Sequence, residues 1–165
     1  MKHQMQTTKS SSAGHMGKDH YRRLGIMTAL SFITMYFLMY AMVNAASNVY
    51  MSLNQVYMAG LMAAPMAVIE LALMGAMYDN RRLNLIIAVV ATVAVVTLFL
   101  FIRRQAAIGD RQFLRSMIPH HAGAILMCEQ ASVRDAEIKR LCQNIISSQR
   151  AEIEQMKGIL RTTRD

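Results

Sequence analysis

The sequence predicts an all-α protein in two parts: a three-span transmembrane helical bundle, then a helical hairpin outside the membrane. Two observations carry this. From Leu24 to Ile102 the only charged side chains are Glu70, Asp79, Arg81 and Arg82, although 17% of the 165 residues are charged overall. Beyond Arg104 the apolar residues instead recur at helical spacing among polar ones. The first pattern suits a hydrocarbon environment and the second a helix that buries one face.

Residues 1–23, "MKHQMQTTKSSSAGHMGKDHYRR", are polar and lack an apolar period, so a disordered basic cytoplasmic tail is expected. His3, His15 and His20 with Met1, Met5 and Met16 offer weak soft-metal ligands there, but a solvated tail is the simpler reading. A cleaved signal peptide does not fit, because the basic region is long and two further apolar segments follow.

The membrane unit spans 24–103. Its three segments are 24–46, 54–78 and 83–102, each about the 20 residues that cross a bilayer as a helix. The links "SNVYMSL" and "DNRR" are short, so successive spans alternate in direction. Lys2, Lys9, Lys18, Arg22 and Arg23 precede the first span, and Arg81 and Arg82 lie in the second link. Against these seven stand four, Arg103, Arg104, Arg111 and Arg115. The positive-inside rule then puts the N-terminus in the cytoplasm and the hairpin on the periplasmic or extracellular side. The net charge of +8 is accounted for by this topology, and no nucleic-acid partner is expected.

Glu70 is the notable residue within the spans, since a carboxylate in lipid must be protonated, paired or facing water. Met62, Met66 and Glu70 form an i, i+4, i+8 ridge, and Met35, Met39 and Met42 form a stripe on span one. Two readings stand: methionine as flexible filler beside a neutral, hydrogen-bonded Glu70, or a thioether track for a soft cation. The filler reading is the simpler. Pro65 is expected to kink span two.

The hairpin is expected over 109–162. Asp110 reads as the N-cap of its first helix. On that helix His120, Ala124 and Met127 share one side, while Met117, His121 and Cys128 form the strip beside it. Pro119 is expected to bend the helix next to the histidines. The second helix starts near Asp135 and buries Ile138, Cys142, Ile145, Gln149, Ile153, Met156 and Leu160, with Glu152 on the flank. Reflection about residue 135 sets Met117 level with Glu152, His120 with Gln149, Phe113 with Met156, and Cys128 with Cys142, to within about a turn. Imidazole, thioether and thiolate together favour Cu(I) or Ag(I), with zinc less suited because it seldom takes methionine. The pairs Met117 with His121, and His120 with Met127, have the easier geometry for one ion. Cys128 and Cys142 remain open among a disulfide, metal thiolates and buried free thiols.

The pattern D-x-x-F-x-x-x-M-x-x-H-H-x-x-A-x-x-M, from Asp110 through Phe113, Met117, His120, His121 and Ala124 to Met127, resembles the signature of the bacterial family called domain of unknown function 305. The later "SQRAEIEQM" is similar to its second block. The resemblance covers about Gly109 to Leu160. It implies a helical, ferritin-like layout, an exported or periplasmic setting in a bacterium, and an association with copper or silver. Residue by residue it implicates Met117, His120, His121 and Met127 as metal ligands. Gln149, Glu152 and Met156 would line the site, with Asp110 and Cys128 as further ligands or supporting groups. One hairpin is half of a four-helix bundle, so a homodimer is expected to complete it.

The function expected is therefore a soft-metal binding protein anchored in the bacterial cytoplasmic membrane, active in copper or silver handling or tolerance. A metal transporter or chaperone would be its partner. The alternative is a structural or assembly subunit whose hairpin packs on another protein without metal. An enzyme is not expected: a di-iron oxidase needs Glu-x-x-His pairs, and Met117 and Ile118 stand three residues before His120 and His121.

Overall fold

The computed structural model describes residues 4–163, with side chains from Asp19 on. They form five α-helices: α1 Gln4–Leu38, α2 Leu53–Leu73, α3 Arg81–Arg104, α4 Asp110–Gln130 and α5 Ala136–Thr162. Short 3₁₀ turns lie at Met39–Met42, Ala46–Asn48 and Gly75–Met77. Three stretches are long and apolar enough to cross a membrane: Asp19–Met42, Leu53–Leu73 and Arg81–Arg104. The chain thus has the make-up of a multi-pass membrane protein ending in a helical hairpin. The described residues divide into two compact units, residues 4–35 with 58–101, and residues 36–57 with 102–163.

Three boundaries differ from the sequence reading. The expected disordered tail lies partly outside the described residues, but from Gln4 its backbone is helical and continuous with the first span. Extending an existing helix costs far less than nucleating one, so the span carries its polar leader into helix. The first span leaves α-helical geometry at Leu38, not Ala46, and the chain turns extended at Val43. Span two likewise ends at Leu73 and tightens to a 3₁₀ turn at Gly75–Met77.

In the first unit polar groups join the middle of α1 to the start of α3 and to the link that precedes α3. The Tyr21 hydroxyl donates to Asn84 Oδ1 at 2.6 Å, and Asn84 Nδ2 donates to the Tyr78 carbonyl at 2.9 Å. The Tyr78 ring, buried beside Leu24 and Ala67, lies 5.1 Å from the Tyr21 ring. Gly60 permits close packing of α2 on α3, since a Cβ there would come 2.8 Å from Leu98 Cδ1.

The second unit is the hairpin and the segment 36–57. Leu114, Ile118, Ala122 and Ile125 recur along one side of α4 and bury against Ile153 and Met156 of α5. Val43 and Tyr50 pack on the same core. α5 starts where the sequence reading puts it: Asp135 is the N-cap, its carboxylate accepting from Glu137 N at 2.8 Å and Ile138 N at 3.0 Å. Asp110 is not the N-cap of α4. That position belongs to Gly109, which has no side chain to offer, and Asp110 stands in the first turn. There its charge still opposes the positive end of the helix dipole.

Segment 36–57 is tied by hydrogen bonds to α4 and to the turn that precedes it. Leu53 N donates to Gln112 Oε1 at 3.0 Å, and Asn54 Nδ2 donates to Ser116 Oγ at 3.2 Å. The Tyr57 hydroxyl donates to the Ala106 carbonyl at 3.0 Å. The turn from α3 to α4 is tight, with Gln105 and Ala107 at φ of 48° and 57°.

Candidate metal centre

The histidine pair of α4 is split by the helix itself, because adjacent residues diverge by about 100°. His121 turns inward and is 9% exposed. Its Nδ1 lies 2.9 Å from the Met117 carbonyl, and its Nε2 lies 2.7 Å from Glu152 Oε2. A carbonyl is only an acceptor, so Nδ1 carries a hydrogen. Nε2 then meets the carboxylate either as the second N–H of an imidazolium or through a proton on Glu152. Both ring nitrogens are thereby engaged, and a metal on His121 would displace one of these bonds. Met117 packs against the hairpin core beside it.

His120 faces another way. It is exposed and lines a cleft of about 350 Å³ together with Gly123, Ala124 and Met127 of α4 and Met39 and Met42 of the preceding segment. His120 and Met127 are two helical turns apart, roughly 10 Å along the axis, with the small residues forming the floor between them. The cleft contains no carboxylate. Two other polar side chains on its wall are already occupied. Gln55 Oε1 lies 2.5 Å from the Tyr40 hydroxyl, and Ser116 Oγ donates to the Gln112 carbonyl at 2.8 Å.

The remaining sequence-derived positions scatter. Met156 is buried in the hairpin core, whereas Phe113 is exposed. Gln149 Oε1 is buried without a protein hydrogen-bond partner. Among the described residues no three His, Cys, Asp or Glu side chains converge as a metal set. Cys128 and Cys142 are both free thiols. They meet across the hairpin, and the Cys128 thiol is pushed up to about 11, first by its hydrogen bond with Cys142 and then by burial. Glu70 is hydrogen-bonded rather than bare: the Tyr78 hydroxyl donates to Glu70 Oε1 at 2.6 Å. Of its ridge, Met62 is exposed and Met66 half-buried.

Sequence reasoning placed Met39 and Met42 on a membrane stripe and did not bring them to the hairpin. The available signal was the polar run after them, with Asn44, Ser47, Asn48, Ser52, Asn54 and Gln55 all within thirteen positions of Met42. Such a run does not sit in lipid.

Residues 101–163 match the model of the family described as Domain of unknown function (DUF305). An uncharacterized protein of Acanthamoeba polyphaga mimivirus is 36% identical over 138 residues, covering 82% of this chain and 89% of the viral protein. No solved structure matches. The chain belongs to one family with that viral protein and carries a DUF305 domain at its C-terminal end. Since 138 aligned residues exceed the 63 of the domain (163 − 101 + 1), the kinship extends beyond the hairpin.

Proposed function

We propose that this protein binds a soft monovalent ion, Cu(I) or Ag(I), on its hairpin and takes part in copper or silver handling at a membrane. One observation carries the reading: His120 and Met127, two turns apart on one side of α4, line the same carboxylate-free cleft. Hard cations demand oxygen ligands, so a wall of imidazole and thioether disfavours magnesium and calcium and suits a d¹⁰ monovalent ion. The resemblance of the Met117-to-Met127 motif to a copper- and silver-associated family supports the same chemistry. In this reading the membrane is the bacterial cytoplasmic membrane, the N-terminus is cytoplasmic, and the hairpin is outside. A transporter or chaperone exchanges metal with it.

The test is a competition titration of the full chain in detergent against a chromophoric Cu(I) chelator. The parent should take up copper stoichiometrically, and the His120→Ala, Met127→Leu double variant should not. A parent that leaves all copper with the chelator sinks the reading. It would favour the second one, an assembly subunit, which rests on the exposed Ile138 and Leu141 of α5. A homodimer pairing two hairpins into four helices would cover that face.

A further inference from the structure

We infer that Met39 and Met42, which lie outside the matched domain, are ligands of the same ion, so that the site is three thioethers and one imidazole. This rests on the soft-metal reading above. It adds that half of the ligand set comes from the end of the first membrane span.

The placement is specific. A methyl group on Gly123 would lie 3.5 Å from the Met42 carbonyl oxygen and 3.9 Å from Met42 Cβ. Met42 therefore rests on α4 at Gly123, three residues after His120 and four before Met127. Its side chain starts midway between the two hairpin ligands, where a shared ion would have to sit. Met39 enters the same cleft. Four consecutive residues, Met39–Met42, form a 3₁₀ turn, in which positions i and i+3 eclipse. That geometry stacks Met39 directly beside Met42. A regular α-helix would turn them 60° apart about the axis (three steps of about 100°).

The chemistry closes the argument. Three neutral sulfurs and one neutral nitrogen bring no negative charge, which suits a singly charged polarisable ion over a divalent one. Methionine has three rotatable bonds, so side chains that begin several ångströms apart converge on an ion without backbone movement. His121 is not needed as a ligand. With both nitrogens bonded to Met117 and Glu152, it positions α4 against α5 and so aims His120 into the cleft.

The experiment uses the full chain in detergent, with methionine methyl groups ¹³C-labelled and Ag(I) as the probe. Silver should shift the Met39, Met42 and Met127 methyl signals together and leave Met117 and Met62 in place. The Met39→Leu, Met42→Leu double variant, which keeps size and apolarity, should bind silver at least about tenfold more weakly, while Met62→Leu should not change it. Silver that shifts Met127 and depends on His120, with Met39 and Met42 unmoved and the double variant unchanged, overturns the four-ligand site and leaves the soft-metal reading standing. A parent that takes up no silver overturns both. Should the double variant lose its fold, the methyl shifts of the parent decide alone.

Discussion

His121 Nε2 lies 2.7 Å from Glu152 Oε2, joining α4 to α5 at the level of the candidate metal centre. The contact is unequal, because the His121 side chain is 11% exposed and that of Glu152 is 51% exposed. Removing the ring therefore leaves a hole as well as broken bonds, whereas removing the charge leaves a group that water reaches. His121→Ala should lower the stability of the hairpin by about 2–3 kcal/mol. Glu152→Gln should cost about 1 kcal/mol or less, after allowance for solvent screening. Hydrogen exchange of the α4 and α5 amides reads both. Unchanged protection in His121→Ala would show that the pair does not hold the helices together.

Gly123 separates two effects of size. The space above it accepts a methyl group at ordinary contact distance, 3.5 Å from the Met42 carbonyl. Gly123→Ala should fold normally and gain up to about 1 kcal/mol from better helix propensity. Gly123→Phe should keep α4 helical but push the Met39–Met42 turn away, weakening silver binding at least about tenfold. Circular dichroism with silver titration of both variants checks this. Equal affinity in the two would mean that the turn and the helix face need not touch for binding.

The facing thiols predict an alkaline response with a definite sign. Cys128 titrates at about 11 instead of the ordinary 9.0 because its protonated form is hydrogen-bonded to Cys142. An unfolded chain would release that proton first. The contribution to stability is therefore complete below about pH 9 and disappears as pH rises to about 11. Iodoacetamide at pH 9 should alkylate Cys128 slowly in the parent and faster in Cys142→Ala. The same rate in both proteins would count against the thiol contact. With a thiol oxidant such as diamide, the pair should close a disulfide across a loop of about fifteen residues, stabilising the hairpin by about 3 kcal/mol.

The hairpin leaves Leu141 and Ile138 exposed at 55% and 48%, so self-association is expected through α5. Leu141→Asp should convert a dimer into a monomer, read by mass measurement in mild detergent with crosslinking. A parent that is already monomeric would leave that face to another partner.

Much of this was legible in the sequence. The three spans are visible because lipid requires long uncharged runs, and the hairpin because its helices bury a single face. Reflection about residue 135 brought Cys128 level with Cys142 and placed His121 within a turn of Glu152, because a short turn between straight helices leaves little freedom of level. The break of the first helix at Leu38 was hidden, since Tyr40, Ala41 and Met42 read as lipid-facing residues. So was the arrival of Met42 over Gly123, a contact between positions eighty-one apart (123 − 42). Helical periodicity reports which residues share a face. It carries no information about which distant segment lies on that face.

The hydrogen bond from Leu53 N to Gln112 Oε1, with that from Asn54 Nδ2 to Ser116 Oγ, bears on how the protein can be divided for study. A fragment begun at residue 101 would contain the whole recognisable domain, yet it would strip Val43 and Tyr50 from the hairpin core and take Met39, Met42, Val43 and Gln55 out of the cleft wall. Such a fragment should aggregate or dimerise through the bared surface, and its metal affinity would understate that of the intact chain. An expression design that appends residues 36–57 through a flexible linker would restore the missing wall without the lipid-spanning helices.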